Sequence, residues 1–298
     1  MLINGKEIKT TNDALAKYIF TTDGSGELSK DFVNAVLGDL NFRTVDDFIL
    51  TSPVFSATNY NAKSNYFDVK GETSKHDHIN IEIQRLNHEG FPIRLINNLL
   101  KQINLVRKGV KYSDFPNFYV IGLCNFILDI LPYYNGFHDC HYFTSIFVPN
   151  RYLSTKPQIH ILEIPKWEIK HTKSITKKDL KKYSKLDYWM KFFSDKTTYE
   201  EIEIMASEAL VIEKAKNKID QFVGNPNNLN AYDDAEEAER IRLGEIDFAV
   251  NVAKDEARNE SKIEIAQNLL KAKIDPEVIK TATGLSSERI NEIRATLQ

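Results

Sequence analysis

The most regular pattern in the chain is Ile79-Asn80-Ile81-Glu82-Ile83-Gln84, where apolar and polar residues alternate without a break. A period of two is that of a β-strand, so the three isoleucines share one face and Asn80, Glu82 and Gln84 the other. Upstream, Tyr66-Phe67-Asp68-Val69-Lys70 alternates in the same way and predicts a second strand, with residues 71–78 as the polar loop between the two. Further runs rich in β-branched and aromatic residues fall at 48–50, 118–126, 142–148 and 159–164. Residues 118–124 are almost continuously apolar, which predicts a strand covered on both faces. Helical spacing governs residues 12–38, with a break at Gly24-Ser25-Gly26. It also governs residues 92–108, where Ile96, Leu99, Leu100 and Ile103 recur and Gly109 offers a cap. A helix leading into a buried strand predicts a crossover to a parallel pairing, and hence an α/β core.

Beyond the strands the pattern is helical throughout. Segments 199–222 and 233–273 flank the loop Gly224-Asn225-Pro226-Asn227-Asn228, and residues 262–297 read as three short helices. The expected organisation is an α/β domain over 1–195 and an α-helical C-terminal region over 196–298, with a linker near 224–232 and a small helical tail over 262–298. The tail has helix-turn-helix proportions around Gly284-Leu285-Ser286. Its last helix offers only Arg289, Asn291 and Arg294 as readers among Glu288 and Glu292, so packing or self-association of an amphipathic tail is the preferred reading.

Composition narrows the class. The 298 residues are 42% apolar and 27% charged, the profile of a globular chain with a substantial core. No run approaches the ~18 apolar residues that a membrane helix needs, and the opening residues lack the apolar centre of a secretory signal. A cytoplasmic protein with no membrane contact is expected. Cys124 and Cys140 are the only cysteines, which excludes a disulfide framework and a four-cysteine zinc site. A net charge of −3 does not itself point to nucleic acid, but lysine is concentrated between Lys166 and Lys191.

The chemistry lies in the first hairpin. If it is centred near Lys75, Asp68 falls opposite Glu82, Lys70 opposite Asn80 and Tyr66 opposite Gln84. Opposed Cβ atoms lie ~4.5–5.5 Å apart, where like charges destabilise the pair. Two accounts remain: acids on a solvated sheet face, or a shared hard cation that replaces repulsion with coordination. Mg²⁺ takes one or two carboxylates together with waters and phosphate oxygens, and it can polarise a phosphoryl group and activate water. Gln84, on the same face, is placed to orient that water. Along the following helix Arg94, Asn98, Lys101 and Lys108 fall near one face and are candidates for phosphate contact. His76-Asp77-His78 reads as a solvated loop, and His138-Asp139-Cys140-His141 as a loop entering the strand 142–148. Glu27 reads as an acid on a solvated helix surface.

A hairpin with Asp and then Glu-x-Gln, followed by a helix and a buried strand, resembles the PD-(D/E)xK nuclease core. The detail is similar to the recombination-promoting nuclease / transposase family of such proteins. Its Lys-Ser-x-x-apolar-Asp-Val strand reads Lys63-Ser64-Asn65-Tyr66-Phe67-Asp68-Val69, and its Asn-Ile-Glu-apolar-Gln strand reads Asn80-Ile81-Glu82-Ile83-Gln84. Arg94, the turn Lys108-Gly109-Val110-Lys111-Tyr112, Leu162-Glu163-Ile164-Pro165-Lys166-Trp167 and the aromatic segment 186–193 match further features. Asn97, Asn98, Leu105 and Val106 depart from the family pattern.

The resemblance implies a restriction-endonuclease-like α/β fold, with a mixed central sheet flanked by helices. It implies Asp68 and Glu82 as metal ligands, with Gln84 at the position of the usual lysine. It further implies an Mg²⁺- or Mn²⁺-dependent DNA endonuclease linked to recombination or mobile elements. Lys63, Lys70, Arg94, Lys101 and Lys108 would meet DNA, and a homodimer would serve duplex cleavage. The alternative from another class is a non-catalytic nucleic-acid-binding or assembly module on the same scaffold.

Overall fold

The computed structural model describes residues 1–60, 68–87, 90–106, 109–128, 135–148, 151–172 and 174–297. The chain opens with a hairpin, β1 (Leu2–Ile3) and β2 (Lys6–Glu7), whose turn places Asn4 and Gly5 at φ of 51° and 79°. Asn-Gly is the pair that such a tight turn favours, so the signal was present in the sequence although the strands are too short for alternation to reveal. Helices α1 (Asp13–Thr21) and α2 (Ser25–Asp39) follow. The Asn12 side chain caps α1 by accepting from the Ala14 and Leu15 amides, and Gly24, at φ 78°, turns the chain into α2.

The central sheet is built from β3 (Ile49–Leu50), β4 (Val69–Glu72), β5 (His78–Gln84), β6 (Phe118–Cys124), β7 (His138–Thr144) and β8 (Tyr152–Glu163). Its order is β3-β4-β5-β6-β8-β7; the β5–β6 and β6–β8 pairs are parallel and the others antiparallel. The crossover between β5 and β6 carries α3 (Phe91–Ile103). This is the mixed sheet flanked by helices that the resemblance implies. The register is fixed at the hairpin end by Asp77, whose carboxylate accepts from both the backbone and the side-chain amide of Asn117 at 2.8 Å.

Each face of the sheet is covered. Ile79, Ile81, Ile83, Tyr119, Ile121 and Leu123 join the main core with α1, α2 and α6 (Lys185–Phe193). Phe20, Phe32, Trp189 and Phe193 pack ring against ring there, with Phe20 and Phe193 5.8 Å apart. The opposite face packs Val120, Cys124 and Ile161 against Phe91, Leu95 and Leu99 of α3.

Several boundaries move relative to the sequence reading. Gly71, Glu72 and His78 belong to the hairpin strands, which shortens the loop, and α3 ends at Ile103 with Asn104 as its cap, well before Gly109. His138 begins β7, so the segment read as a loop is a strand; its His138 is buried against His160, a partner that only the fold supplies. After α4 (Ile164–Lys170) and α5 (Lys177–Leu180), the segment 199–222 divides into α7 (Tyr199–Ala206) and α8 (Leu210–Val223), and α9 (Pro226–Lys271) starts inside the expected linker. The first compact unit runs to Glu236, beyond the edge expected at 195, and the second spans Glu237–Gln298. Helices α7 and α8 bury Ile202, Met205, Ile212, Ile219 and Phe222 in the main core, and the Tyr232 hydroxyl accepts from the Lys9 amide at 2.9 Å. Amphipathic spacing announces a buried face but not what it packs on.

In the second unit the end of α9, α10 (Pro276–Thr283) and α11 (Ser287–Thr296) close around Ala266, Ile279, Ile290 and Ile293. No helix among the described residues is long and apolar enough to cross a membrane.

Candidate active site

The polar row of β5 lies under α3, inside a layer that is otherwise apolar. Asn80 and Glu82 are 0% and 1% exposed. Burying a carboxylate in such a layer is unfavourable unless it is paired, so these positions call for specific partners. Across from Glu82 on β6 stands Gly122, where a Cβ would come within 3.0 Å of Leu95 Cδ1 and 3.1 Å of Phe91 Cζ. The missing side chain lets α3 settle close to the strand.

That approach brings a polar row of the helix onto the polar row of the strand. Arg94 Nε lies 2.5 Å from Glu82 Oε1, and Asn98 Nδ2 donates to Glu82 Oε2 at 2.7 Å. Arg94 also donates to Gln84 Oε1, while Gln84 Nε2 donates to the Leu86 carbonyl at 3.0 Å. One helical i,i+4 step advances about 6 Å and one strand i,i+2 step about 6.6 Å, so the two rows stay in step. Gln102, the next member of the helix row, is buried with Oε1 unpartnered.

The hairpin register pairs Val69 with Ile81 and Lys70 with Asn80. Asp68, immediately before β4, therefore comes opposite Glu82, as alternation predicts. Lys70 Nζ lies 2.8 Å from Asp68 Oδ2, and Asn80 Nδ2 donates to Asp68 Oδ1. Glu82 is pushed up to about 7: burial raises it most, the Arg94 guanidinium opposes the rise, and the charge of Asp68 adds to it. Each acid thus has a cation of the chain beside it, Lys70 for Asp68 and Arg94 for Glu82.

The donor types are those a hard divalent cation takes: two carboxylates stand opposite each other across the hairpin, and the amide oxygen Oδ1 of buried Asn80 has no hydrogen-bond donor. Asp68 and Glu82 would hold the ion, which would supply Lewis acidity and an activated water.

Other candidates fall elsewhere. Lys101 is exposed on the last turn of α3, and Lys63 and Lys108 lie outside the described residues, as does the pairing of Tyr66 with Gln84. The lysine-rich stretch is not one surface. Lys166 is buried against Glu163 at 2.5 Å and Lys191 against Glu201 at 2.9 Å, whereas Lys170, Lys177, Lys178, Lys181, Lys182 and Lys185 are exposed. Glu27 is half exposed and pairs with Lys214 at 2.5 Å. Cys140 approaches His160 Nε2 at 3.8 Å, but burial pushes its thiol up to about 12, which removes it as a nucleophile near neutral pH.

Alternation marks Asn80 only as a polar strand residue, and its tether to Asp68 appears once the hairpin closes. Glu163 is a second buried carboxylate, next to Cys124 in the β6–β8 register, that accepts from the Leu128 amide at 2.7 Å. A charged residue ending an apolar strand was its one signal.

Comparison with known proteins adds two matches. A family model described as PD-(D/E)XK nuclease family transposase matches residues 10–247. A second, described as Rpn/YhgA-like nuclease family, C-terminal HTH domain, matches residues 259–295. No curated protein and no solved structure gave a significant match. The second match covers the tail whose helix-turn-helix proportions the sequence shows, and that tail is packed around a small core of its own. Ile279, Ile290 and Ile293 are buried in the small core of that unit.

Proposed function

The chain belongs to the PD-(D/E)XK nuclease family transposases, and from that premise we propose that it is a divalent-metal-dependent DNA endonuclease acting at Asp68 and Glu82. The observation that carries this reading is the hairpin register, Val69 with Ile81 and Lys70 with Asn80, which sets Asp68 opposite a Glu82 that is fully buried. A buried carboxylate facing a second acid is held at a cost in stability, which function explains better than structure does.

Mg²⁺ or Mn²⁺ bound there would polarise the scissile phosphate and lower the pKa of a bound water. The chain's own residues do the rest. Asp68 and Glu82 hold the charge centre. Lys70, half exposed beside Asp68, neutralises charge that develops on the phosphate. Gln84 accepts from Arg94 and so positions Glu82, and Arg94 is the chain's own cation where a divalent ion would compete for Glu82. The C-terminal helix-turn-helix unit binds DNA and presents it for cleavage that serves recombination or mobile-element activity. A homodimer would supply a second centre for the opposite strand.

The reading is tested on supercoiled plasmid with Mg²⁺, Mn²⁺ or EDTA. Wild type should nick it with metal and not with EDTA, and Asp68→Ala and Glu82→Gln should lose at least about a hundredfold in rate. Equal nicking by wild type and Asp68→Ala would reject the assignment. DNA retention without any cleavage would favour the binding module on a nuclease scaffold.

A further inference from the structure

We propose that Asn80 supplies a third protein oxygen to the cation site through Oδ1, an inference that rests on the reading of Asp68 and Glu82 as the cation's ligands. Asn80 shares the polar face of β5 with Glu82, and its amide lies against Asp68. The orientation of that amide is dictated by chemistry. An ionised carboxylate only accepts, so the end of the amide facing Asp68 must be Nδ2–H, and Oδ1 is the other end. That oxygen is buried, in a residue 0% exposed, and no donor reaches it. A buried amide oxygen without a partner is unfavourable, and such exceptions are rare in native proteins.

The need for a further oxygen comes from the cation. Mg²⁺ requires about six hard oxygen donors, and waters and substrate fill only part of that set. Among the described residues no three His, Cys, Asp or Glu side chains come together to hold a metal. A neutral amide oxygen completes the protein's share without adding a third negative charge to a pair that already repels. With Nδ2 tied to Asp68, Asn80 also holds that carboxylate and its own Oδ1 at one spacing. A divalent ion held by Asp68 and Glu82 would give the orphaned oxygen the partner it lacks.

The test is Mn²⁺ binding by the full chain, read from the electron paramagnetic resonance signal of free Mn²⁺, together with anomalous scattering from a Mn²⁺-soaked crystal. Wild type should bind saturably, and Asn80→Ala should weaken binding about tenfold or more. Asn80→Asp is isosteric and keeps the oxygen while losing the donor to Asp68. It should bind at least as tightly as wild type and gain more in melting temperature on adding Mn²⁺. The anomalous peak should have Oδ1 in its inner shell. Wild-type affinity in Asn80→Ala overturns the proposal. So does equal weakening by Ala and Asp, which would leave Asn80 as a support for Asp68 only, or a crystal in which water or the Gln102 amide donates to Oδ1. Failure of the underlying reading looks different: wild type without saturable Mn²⁺ binding, or binding untouched by Asp68→Ala and Glu82→Ala. If Asn80→Ala loses its fold by circular dichroism, Asn80→Asp and the wild-type crystal decide.

Discussion

Arg94 Nε stands 2.5 Å from Glu82 Oε1, joining the first turn of α3 to the centre of β5 in a layer where Glu82 is 1% exposed. On the proposed reading a divalent cation would compete with this guanidinium for Glu82. Arg94→Met strands a buried carboxylate and should lower stability by about 3 kcal/mol in urea denaturation. The same variant should show a larger thermal shift with Mn²⁺ than wild type, because the metal then replaces the missing charge. A smaller shift would mean that Arg94 and the metal do not share Glu82.

A Lys70 variant should separate stability from the proposed nicking activity. Its side chain is 46% exposed beside Asp68, and an exposed pair contributes at most about 1 kcal/mol. Lys70→Ala should therefore melt near wild type while plasmid nicking falls by about a hundredfold, the scale of removing one charge-stabilising donor. Unchanged nicking would remove Lys70 from the reaction.

His160 should give stability an acid limb. It is enclosed by His138 Nε2 at 3.0 Å from its Nδ1, by Gln158 Oε1 at 3.0 Å and Cys140 Sγ at 3.8 Å from its Nε2, and by the Phe42 ring. Burial, with the neighbouring His138 and His141, pushes it down to about 3 from an ordinary 6.5. Below pH 6.5 the unfolded chain takes up a proton that the folded one refuses, so this contribution is intact above 6.5 and is lost as pH falls towards 3. The slope is at most about 1.4 kcal/mol per pH unit. Urea midpoints at pH 7 and pH 4.5 should converge for His160→Gln and wild type at the lower pH. Parallel loss in both would exclude His160 as the source.

On the last helix Arg289 is held by Glu292 at 2.6 Å. Glu292→Ala frees that guanidinium at little cost to stability, since the pair is exposed. DNA affinity at low salt should rise several-fold, and the slope of log affinity against log salt should steepen by about one. No change in slope would place Arg289 away from the phosphates.

The amino-acid sequence determined the two hairpin strands and their faces, because a strand's period of two is a local property: alternation puts Asp68 and Glu82 on one side, while their standing opposite each other needs the turn centred near Lys75, which the fold supplies. It also determined the crossover helix and the buried strand after it, through spacing and continuous apolar character. The tertiary structure decided what those side chains meet. That Arg94 closes on Glu82, that Asn80 turns its N–H to Asp68, that Lys166 and Lys191 point inward, and that α7 and α8 belong to the first unit all depend on contacts between segments distant in the chain. Charge and periodicity are written residue by residue, whereas burial and pairing arise only when two elements share the same space, and it is burial that turns an ordinary Asp–Glu pair into a candidate cation site.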